Sequence, residues 1–241
     1  ADILNNAKRP LLLVGHGTLI SKANKEVLQL AELLQTPVTT TLMGKGAFPE
    51  NHELSVGMLG MHGTAYANRC VSNCDVIFSI GSRWDDRITP AKIEKFCPTA
   101  KKLHLDIDKA EINKVVMPDV SILGDAKTCL KELLPLIKSS EATKPWLKQV
   151  NQWKKKYPLN YKVHGGLKAQ QVLDELYQIT KGEAIITTDV GQHQMWAAQF
   201  CKTHNPDQWI SSGGAGTMGF GFPSALGAQL GKPEETVVAV E

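Results

Sequence analysis

Short apolar runs that end at glycine alternate with helical patterns along most of the chain. One such run spans 10–14 and ends at Gly15, and another spans 76–80 and ends at Gly81. Between them, the apolar residues of 21–34 recur at helical spacing. An uninterrupted apolar run is typical of a strand buried on both faces, which occurs mainly in parallel sheets covered by helices. This alternation predicts an α/β fold with an open parallel sheet and ligands at the carboxyl ends of its strands.

The same patterns predict the remaining elements and a division of the chain. Further strands are predicted at 37–41, 103–107, 121–123, 184–188 and 236–240, and helices at 21–34, 64–74, 126–137, 146–156, 168–180, 192–200 and 223–230. Prolines interrupt a lysine-rich stretch without strand pattern near 138–164. We therefore predict a Rossmann-like unit at 1–138, a linker at 139–165 and a second α/β unit at 166–241. Because no helix follows the last strand and the chain does not begin with methionine, we expect a fragment whose second unit is truncated.

Composition excludes several classes of protein. The chain has 27 Lys and Arg against 24 Asp and Glu, and a net charge of +3 does not favour nucleic acid as a partner. No stretch approaches the roughly 18 apolar residues of a membrane span, and no signal peptide is evident, so we expect a cytoplasmic protein. The five cysteines are scattered and odd in number, which predicts buried free thiols rather than disulfides.

The loops after the first strands carry candidate ligand-binding groups. Gly15 and Gly17 could let backbone N–H groups approach a phosphate, or could simply form a tight strand-to-helix turn. Arg83 and Arg87 supply forked donors suited to a diphosphate, with a surface salt-bridge cluster as the alternative.

Two acids follow later strands of the same unit. Asp106, at the end of the strand 103–107, could accept ribose hydroxyls, whereas Asp125 is equally well a helix N-cap.

A glycine-rich segment marks the second half. Residues 213–221 hold five glycines in nine positions, which is too costly for the interior of a helix or strand. We interpret the segment as backbone laid closely around a ligand. Residues 189–194 follow the strand 184–188 and open a helix. We find no nucleophile triad and no zinc-ligand spacing, and we predict neither a catalytic nor a metal-binding residue.

Together these segments resemble a known family. Residues 59–63, 81–87, 191–196 and 213–223 are similar to the catalytic subunit of acetolactate synthase (acetohydroxyacid synthase), a family of thiamine-diphosphate enzymes. The resemblance covers essentially the whole chain. It implies that 1–138 is a central domain of the FAD-binding type and that 166–241 begins a C-terminal thiamine-diphosphate domain. It also implies Mg²⁺ as a cofactor, 2-keto acids as substrates in branched-chain amino-acid biosynthesis, a homodimer with the active site between subunits, and a small regulatory subunit.

The resemblance carries over to individual residues. The positions that line FAD in the family are matched by Gly15, His16, Gly17, Thr41, Leu42, Met61, His62, Gly81, Arg83, Asp85, Arg87, Ile88, Asp106 and Asp125. The positions around thiamine diphosphate are matched by Val190, Gly191, Gln192, His193, Gly216 and Met218, the last of which supports a bent cofactor. Ser82 and Trp84 stand where the family more often has Ala and Phe.

The resemblance also leaves two alternatives open. The family's activating Glu and its Gly-Asp-Gly metal motif are not matched in the chain, so we expect the 241 residues alone to be inactive. The chain could instead belong to another thiamine-diphosphate carboligase or decarboxylase, such as one acting on glyoxylate. It could also be a dinucleotide-binding module without chemistry of its own.

Overall fold

The first unit is a six-stranded parallel sheet. The computed structural model describes residues 1–163 and 165–241, so His164, within the predicted linker, lies outside the described residues. The strands are β1 (Pro10–Val14), β2 (Val38–Thr40), β3 (Ser55–Met58), β4 (Val76–Ile80), β5 (Lys101–Asp106) and β6 (Val120–Leu123). Their order is β3-β2-β1-β4-β5-β6, with every neighbouring pair parallel. The winding therefore reverses between β1 and β4, which leaves a crevice at their carboxyl ends.

Helices cover both faces of this sheet. They are α1 (Asp2–Asn5), α2 (His16–Ile20), α3 (Asn24–Leu34), α4 (Ala65–Asn73) and α5 (Ala126–Leu133). Leu12 and Val14 of β1 pack with α3 and α5, whereas Leu11 and Leu13 pack with α4. Alternate residues of one strand thus enter two different cores, which explains why β1 is apolar throughout.

The second unit is a three-stranded parallel sheet reached through one long helix. After α6 (Lys144–Lys156) come α7 (Ala169–Thr180), β7 (Ile185–Thr188), α8 (Gln192–Phe200), β8 (Trp209–Ser211), α9 (Gly221–Gly231) and β9 (Val237–Val240). The strand order is β8-β7-β9. Helix α6 packs on the first sheet, where Trp146 Nε1 donates a hydrogen bond to the Pro10 carbonyl at 2.9 Å.

Several elements differ from the sequence prediction. Strands β3 and β8 and helices α1 and α2 were not expected, because three to five residues are too few to show a period. Helix α9 begins at Gly221 and α6 at Lys144, each two residues before the predicted start. Helix α5 ends at Leu133 and not at 137, since Pro135 falls in a 3-10 turn at Leu134–Leu136.

A buried ion pair joins the two units. Lys45 Nζ lies 2.6 Å from Glu50 Oε2, and the two side chains are 1% and 7% exposed. The same carboxylate oxygen accepts hydrogen bonds from the backbone N and Oγ1 of Thr203 at 2.8 and 3.0 Å. The Lys45 ammonium also lies 5.2 Å from the centre of the Trp209 ring. Residues of the second unit therefore supply hydrogen bonds to Glu50 and an aromatic contact to Lys45.

The cysteines are free thiols, as the sequence predicts. Cys70, Cys74, Cys97 and Cys201 are buried, and Cys129 is half-buried. Burial raises the pKa of the Cys201 thiol to about 11, so this thiol stays protonated at neutral pH. In the part of the chain that the structure describes, no helix has both the length and the apolar character that a bilayer crossing requires.

Candidate functional sites

The crevice between β1 and β4 brings together the two glycine-containing turns. The Gly15 N–H donates to the Ile80 carbonyl at 2.9 Å, and the Gly17 N–H donates to the Gly81 carbonyl at 3.1 Å. A Cβ at Gly15 would lie 2.1 Å from the Gly81 oxygen, and one at Gly17 would lie 2.8 Å from Gly81 Cα. Close backbone packing between the turns therefore accounts for glycine at these positions. A phosphate-binding role for them remains a prediction.

The arginine loop forms one edge of this crevice. Arg83 Nη2 lies 3.4 Å from Asp85 Oδ2, and Asp85 Oδ1 accepts a hydrogen bond from the Arg87 N–H at 3.0 Å. The two arginine side chains are 60% and 67% exposed, so their donors face solvent. Met61 N–H donates to the Arg87 carbonyl at 3.0 Å, which holds the Met61-His62 turn against this loop.

The other residues predicted to line FAD lie at the same sheet edge, in different surroundings. His16 Nδ1 lies 2.9 Å from the Met43 carbonyl, and Thr41 Oγ1 accepts from the Gly44 N–H. Ile88 is buried within the first unit, whereas Leu42 packs against the core of the second unit. Asp125 caps α5, and hydrogen bonds from Thr128 hold the pKa of its carboxyl below the usual range.

A buried histidine that the sequence analysis missed lies beneath the arginine loop. His104 of β5 is 2% exposed, and its Nε2 donates to the Ser82 carbonyl at 2.9 Å. Its ring packs 5.3 Å from that of Trp84. Asp106, two residues on, is also buried, and its Oδ2 lies 3.8 Å from His104 Nε2. A histidine between two leucines of a predicted strand was the one signal that could have found His104.

His104 makes stability depend on pH in a defined direction. Burial lowers the pKa of His104 below its ordinary value of 6.5, outweighing the Ser82 carbonyl and Asp106, which favour the charged form. The unfolded chain therefore binds a proton on this residue before the folded protein does. The free energy of unfolding is expected to fall by up to about 1.4 kcal/mol per pH unit as the pH drops below 6.5.

Urea unfolding of the wild type and of His104→Gln, measured between pH 5.5 and 8.5, checks this expectation. Glutamine keeps a donor for the Ser82 carbonyl but does not titrate. The two stability curves should run parallel at alkaline pH and diverge below the pKa of free histidine. Parallel curves over the whole range would contradict the assignment.

In the second unit, Asp189 organises the glycine-rich loop. This carboxylate directly follows β7, and Oδ1 accepts hydrogen bonds from the N–H groups of Val190 at 2.6 Å and Gly219 at 3.0 Å. Oδ2 accepts from the Gly221 N–H at 3.1 Å. These backbone donors hold the pKa of Asp189 below its usual range. In the sequence, Asp189 follows a predicted strand, but nothing there indicates this role, because Gly219 lies 30 residues further along the chain.

The residues predicted around thiamine diphosphate meet at this carboxyl edge. Gly216 has a φ of +64°, and a Cβ there would lie 3.9 Å from Val190 Cγ1. Gly191 and Gln192 are exposed at the start of α8, and the Met218 side chain is 81% exposed. His193 Nε2 is buried and has no hydrogen-bond partner among the described residues. Across residues 1–163 and 165–241, no three His, Cys, Asp or Glu side chains are placed to hold a metal ion.

Two family models match the two units that carry these sheet edges. The model described as "Thiamine pyrophosphate enzyme, central domain" matches residues 1–133, which is more than half of the chain. The chain belongs to the thiamine pyrophosphate enzyme family. The model described as "Thiamine pyrophosphate enzyme, C-terminal TPP binding domain" matches residues 189–241, starting at Asp189. The prediction of a central and a C-terminal thiamine pyrophosphate domain is confirmed, whereas the FAD-binding type of the central domain stays a prediction.

Three curated proteins named acetolactate synthase are similar to almost the whole chain. The chain is 49% identical over 243 residues to the acetolactate synthase large subunit of Parasynechococcus marenigrum (strain WH8102), covering 99% of this chain and 39% of that protein. It is 45% identical over 241 residues to the acetolactate synthase isozyme 3 large subunit of Escherichia coli (strain K12), covering 97% and 42%. Acetolactate synthase 2, chloroplastic, of Nicotiana tabacum is 46% identical over 245 residues, covering 99% and 36%. The chain thus spans about two fifths of the length of these relatives. The resemblance to the acetolactate synthase family that was stated from the sequence is confirmed.

Proposed function

We propose that the chain is part of an acetolactate synthase large subunit, which decarboxylates pyruvate and joins the two-carbon unit to a second 2-keto acid. The observation that carries the proposal is identity of 45–49% to proteins of that name over 97–99% of the chain. Residues 1–138 would be the central domain, 139–165 the linker and 166–241 the start of the cofactor domain. A homodimer, a small regulatory subunit and a cytoplasmic location are further parts of the proposal.

The Asp189 edge has groups that suit thiamine diphosphate. Added Cβ atoms at Gly214 and Gly219 would meet nothing within 4 Å, so the loop has room beside its backbone. Exposed Met218 offers an apolar surface, and buried His193 Nε2 lacks a protein partner among the residues described. When bound, thiamine diphosphate supplies the electron sink for decarboxylation. This chain's part would be to hold the loop through Asp189 and to support the bound cofactor with Met218.

The first crevice has groups that suit FAD. Exposed Arg83 and Arg87 could contact its diphosphate, and Asp106 could accept its ribose hydroxyls. Met61 and Ile107 are 65% and 72% exposed, so large apolar side chains are available for flat rings. The resemblance makes FAD a structural group here. We assign no residue of this chain to Mg²⁺, although the resemblance includes that ion.

An activity assay tests the function. The protein that carries this chain is incubated with pyruvate, thiamine diphosphate, Mg²⁺ and FAD, and acetolactate is measured. We expect acetolactate to form. In a parallel assay, glyoxylate replaces pyruvate. Condensation of glyoxylate and not of pyruvate would place the protein with another carboligase. No product from either acid would contradict the proposal.

Flavin retention tests the arginine loop separately. Arg83→Ala is expected to weaken FAD binding by about 1–3 kcal/mol, because a charge-assisted hydrogen bond to the diphosphate is lost. Bound flavin is measured by its absorbance after gel filtration. Lys92→Ala, an exposed cation near the same loop, should retain flavin like the wild type. Equal retention by Arg83→Ala and Lys92→Ala would remove Arg83 from the proposed site.

A further inference from the structure

A cavity lies where the first unit, helix α6 and the second unit meet. Its volume is about 360 Å³, within the range of small-molecule sites. The wall comes from β3, the start of α4, the last turn of α6, α7 and the end of α8. Of the residues predicted to bind a cofactor, His62 is the one that lines the cavity in the described structure. The cavity therefore shares His62 alone with the predicted cofactor-binding residues among those described.

Two lysines bring positive charge to this cavity. The ammonium of half-buried Lys154 donates to the Glu53 carbonyl at 2.8 Å, which is a neutral acceptor. Among the described residues, neither Lys154 nor Lys202 forms an ion pair with a carboxylate. Burial lowers the pKa of Lys154; the Glu53 carboxylate opposes this shift, and a smaller repulsion from Lys202 adds to it. An anion between the two ammonium groups would relieve this repulsion.

The carboxylates of the wall do not cancel this charge. Glu50 lines the cavity but is already paired with Lys45 at 2.6 Å. Asp174 supplies one further negative charge against those of Lys154 and Lys202, while the Glu53 carboxylate, which also acts on Lys154, is exposed and lies outside the wall. One positive charge remains in excess, which favours a ligand with a single negative charge.

The rest of the wall is suited to an organic ligand. Met58, Leu159 and Phe200 give the cavity an apolar side. Tyr66 also lines it, and burial raises the pKa of its phenol, which therefore keeps its proton and can donate a hydrogen bond. An inorganic anion would leave the apolar side without a partner.

We propose that this cavity binds a small organic monocarboxylate, with the carboxylate between Lys154 and Lys202 and the apolar part against Phe200 and Leu159. The proposal does not depend on the function proposed above. It requires only that the lysines and the apolar wall face the same space, as the structure places them.

Benzoate serves as the probe. Titration into the 241-residue protein, followed by amide chemical shifts, should give saturable binding with a Kd on the order of 1 mM, as expected for so small a ligand. Shifts should concentrate around Phe200 and Met58 and not in the glycine-rich loop. Benzyl alcohol and benzylammonium, which lack the negative charge, should bind at least about tenfold more weakly.

Two lysine variants separate the site from general basic charge. Lys154→Gln should weaken benzoate binding about tenfold. Lys155→Gln removes the same charge from the adjacent, exposed position and should bind like the wild type. If Lys154→Gln fails to fold, exposed Lys202→Gln takes its place with the same expectation. The proposal is overturned by binding that does not saturate, by equal binding of benzyl alcohol, or by equal affinity of the Lys154 (or Lys202) and Lys155 variants.

Discussion

Replacing Glu50 by alanine is expected to lower the free energy of unfolding by about 3–5 kcal/mol, because it leaves the Lys45 ammonium buried without a counter-charge. Lys45 is 1% exposed and has its carboxylate partner at 2.6 Å. The Thr203 N–H and hydroxyl lose their acceptor as well. Urea denaturation measures the loss. Glu53→Ala removes an exposed carboxylate three positions away and should change stability by less than about 0.5 kcal/mol.

A double variant identifies the cause of that loss. Lys45→Met combined with Glu50→Leu removes both charges and keeps apolar volume, so it should be more stable than Glu50→Ala alone. If the double variant is the less stable of the two, the uncompensated charge is not the main cost. A loss below about 1 kcal/mol in Glu50→Ala would contradict the buried pair itself.

Gly15→Ala is expected to cost about 3 kcal/mol or more, since its methyl group would have to displace backbone. The added Cβ would lie 2.1 Å from the Gly81 oxygen, at the point where the turns after β1 and β4 meet. Neither turn can move without disturbing the hydrogen bond from Gly15 N–H to the Ile80 carbonyl. Thermal and urea unfolding both report the change.

Gly227→Ala is the matched control. Gly227 lies within α9, and a Cβ there would meet nothing within 4 Å. The same substitution should therefore stabilise the protein by about 0.5–1 kcal/mol through helix propensity. Similar effects of the two substitutions would show that local conformational entropy, and not the Gly81 contact, controls the Gly15 position.

Sequence patterns predicted most accurately the strands that are buried on both faces of the sheet. The predicted bounds of β1 and β4 match the structure, because both strands are buried on two faces and read as uninterrupted apolar runs. The helix 192–200 is also found as predicted. Strand β3 escaped prediction, since its four residues include Gly57 and alternate in burial. A short strand such as β3 depends on pairing with a neighbouring strand, here β2, and its own sequence does not show this pairing.

The loops that form the candidate sites could be predicted from the sequence, but the contacts between these loops could not. Glycine after a strand is visible in the sequence, whereas the reason for Gly15 lies in Gly81, far along the chain. The same holds for Asp189, whose carboxylate binds N–H groups at Gly219 and Gly221. Nothing in the sequence indicates that Lys45 and Glu50 are buried, because Thr203 and Trp209 of the second unit contact this pair. Charge balance and burial arise from packing between segments, which pattern alone does not contain.

The hydrogen bonds of Asn5 have a consequence for how the six-stranded unit can be combined with other domains. Its amide nitrogen donates to the Leu136 carbonyl at 2.9 Å, and its amide oxygen accepts from the Lys138 N–H at 2.9 Å. The two ends of the segment 1–138 therefore lie at one place, and α6 then packs on the sheet. A module with adjacent entry and exit can be inserted into a host chain, or opened at a surface loop and rejoined there, without redirecting the flanking sequence. Circular permutation through a short linker between these two points is accordingly the rearrangement that this unit should tolerate.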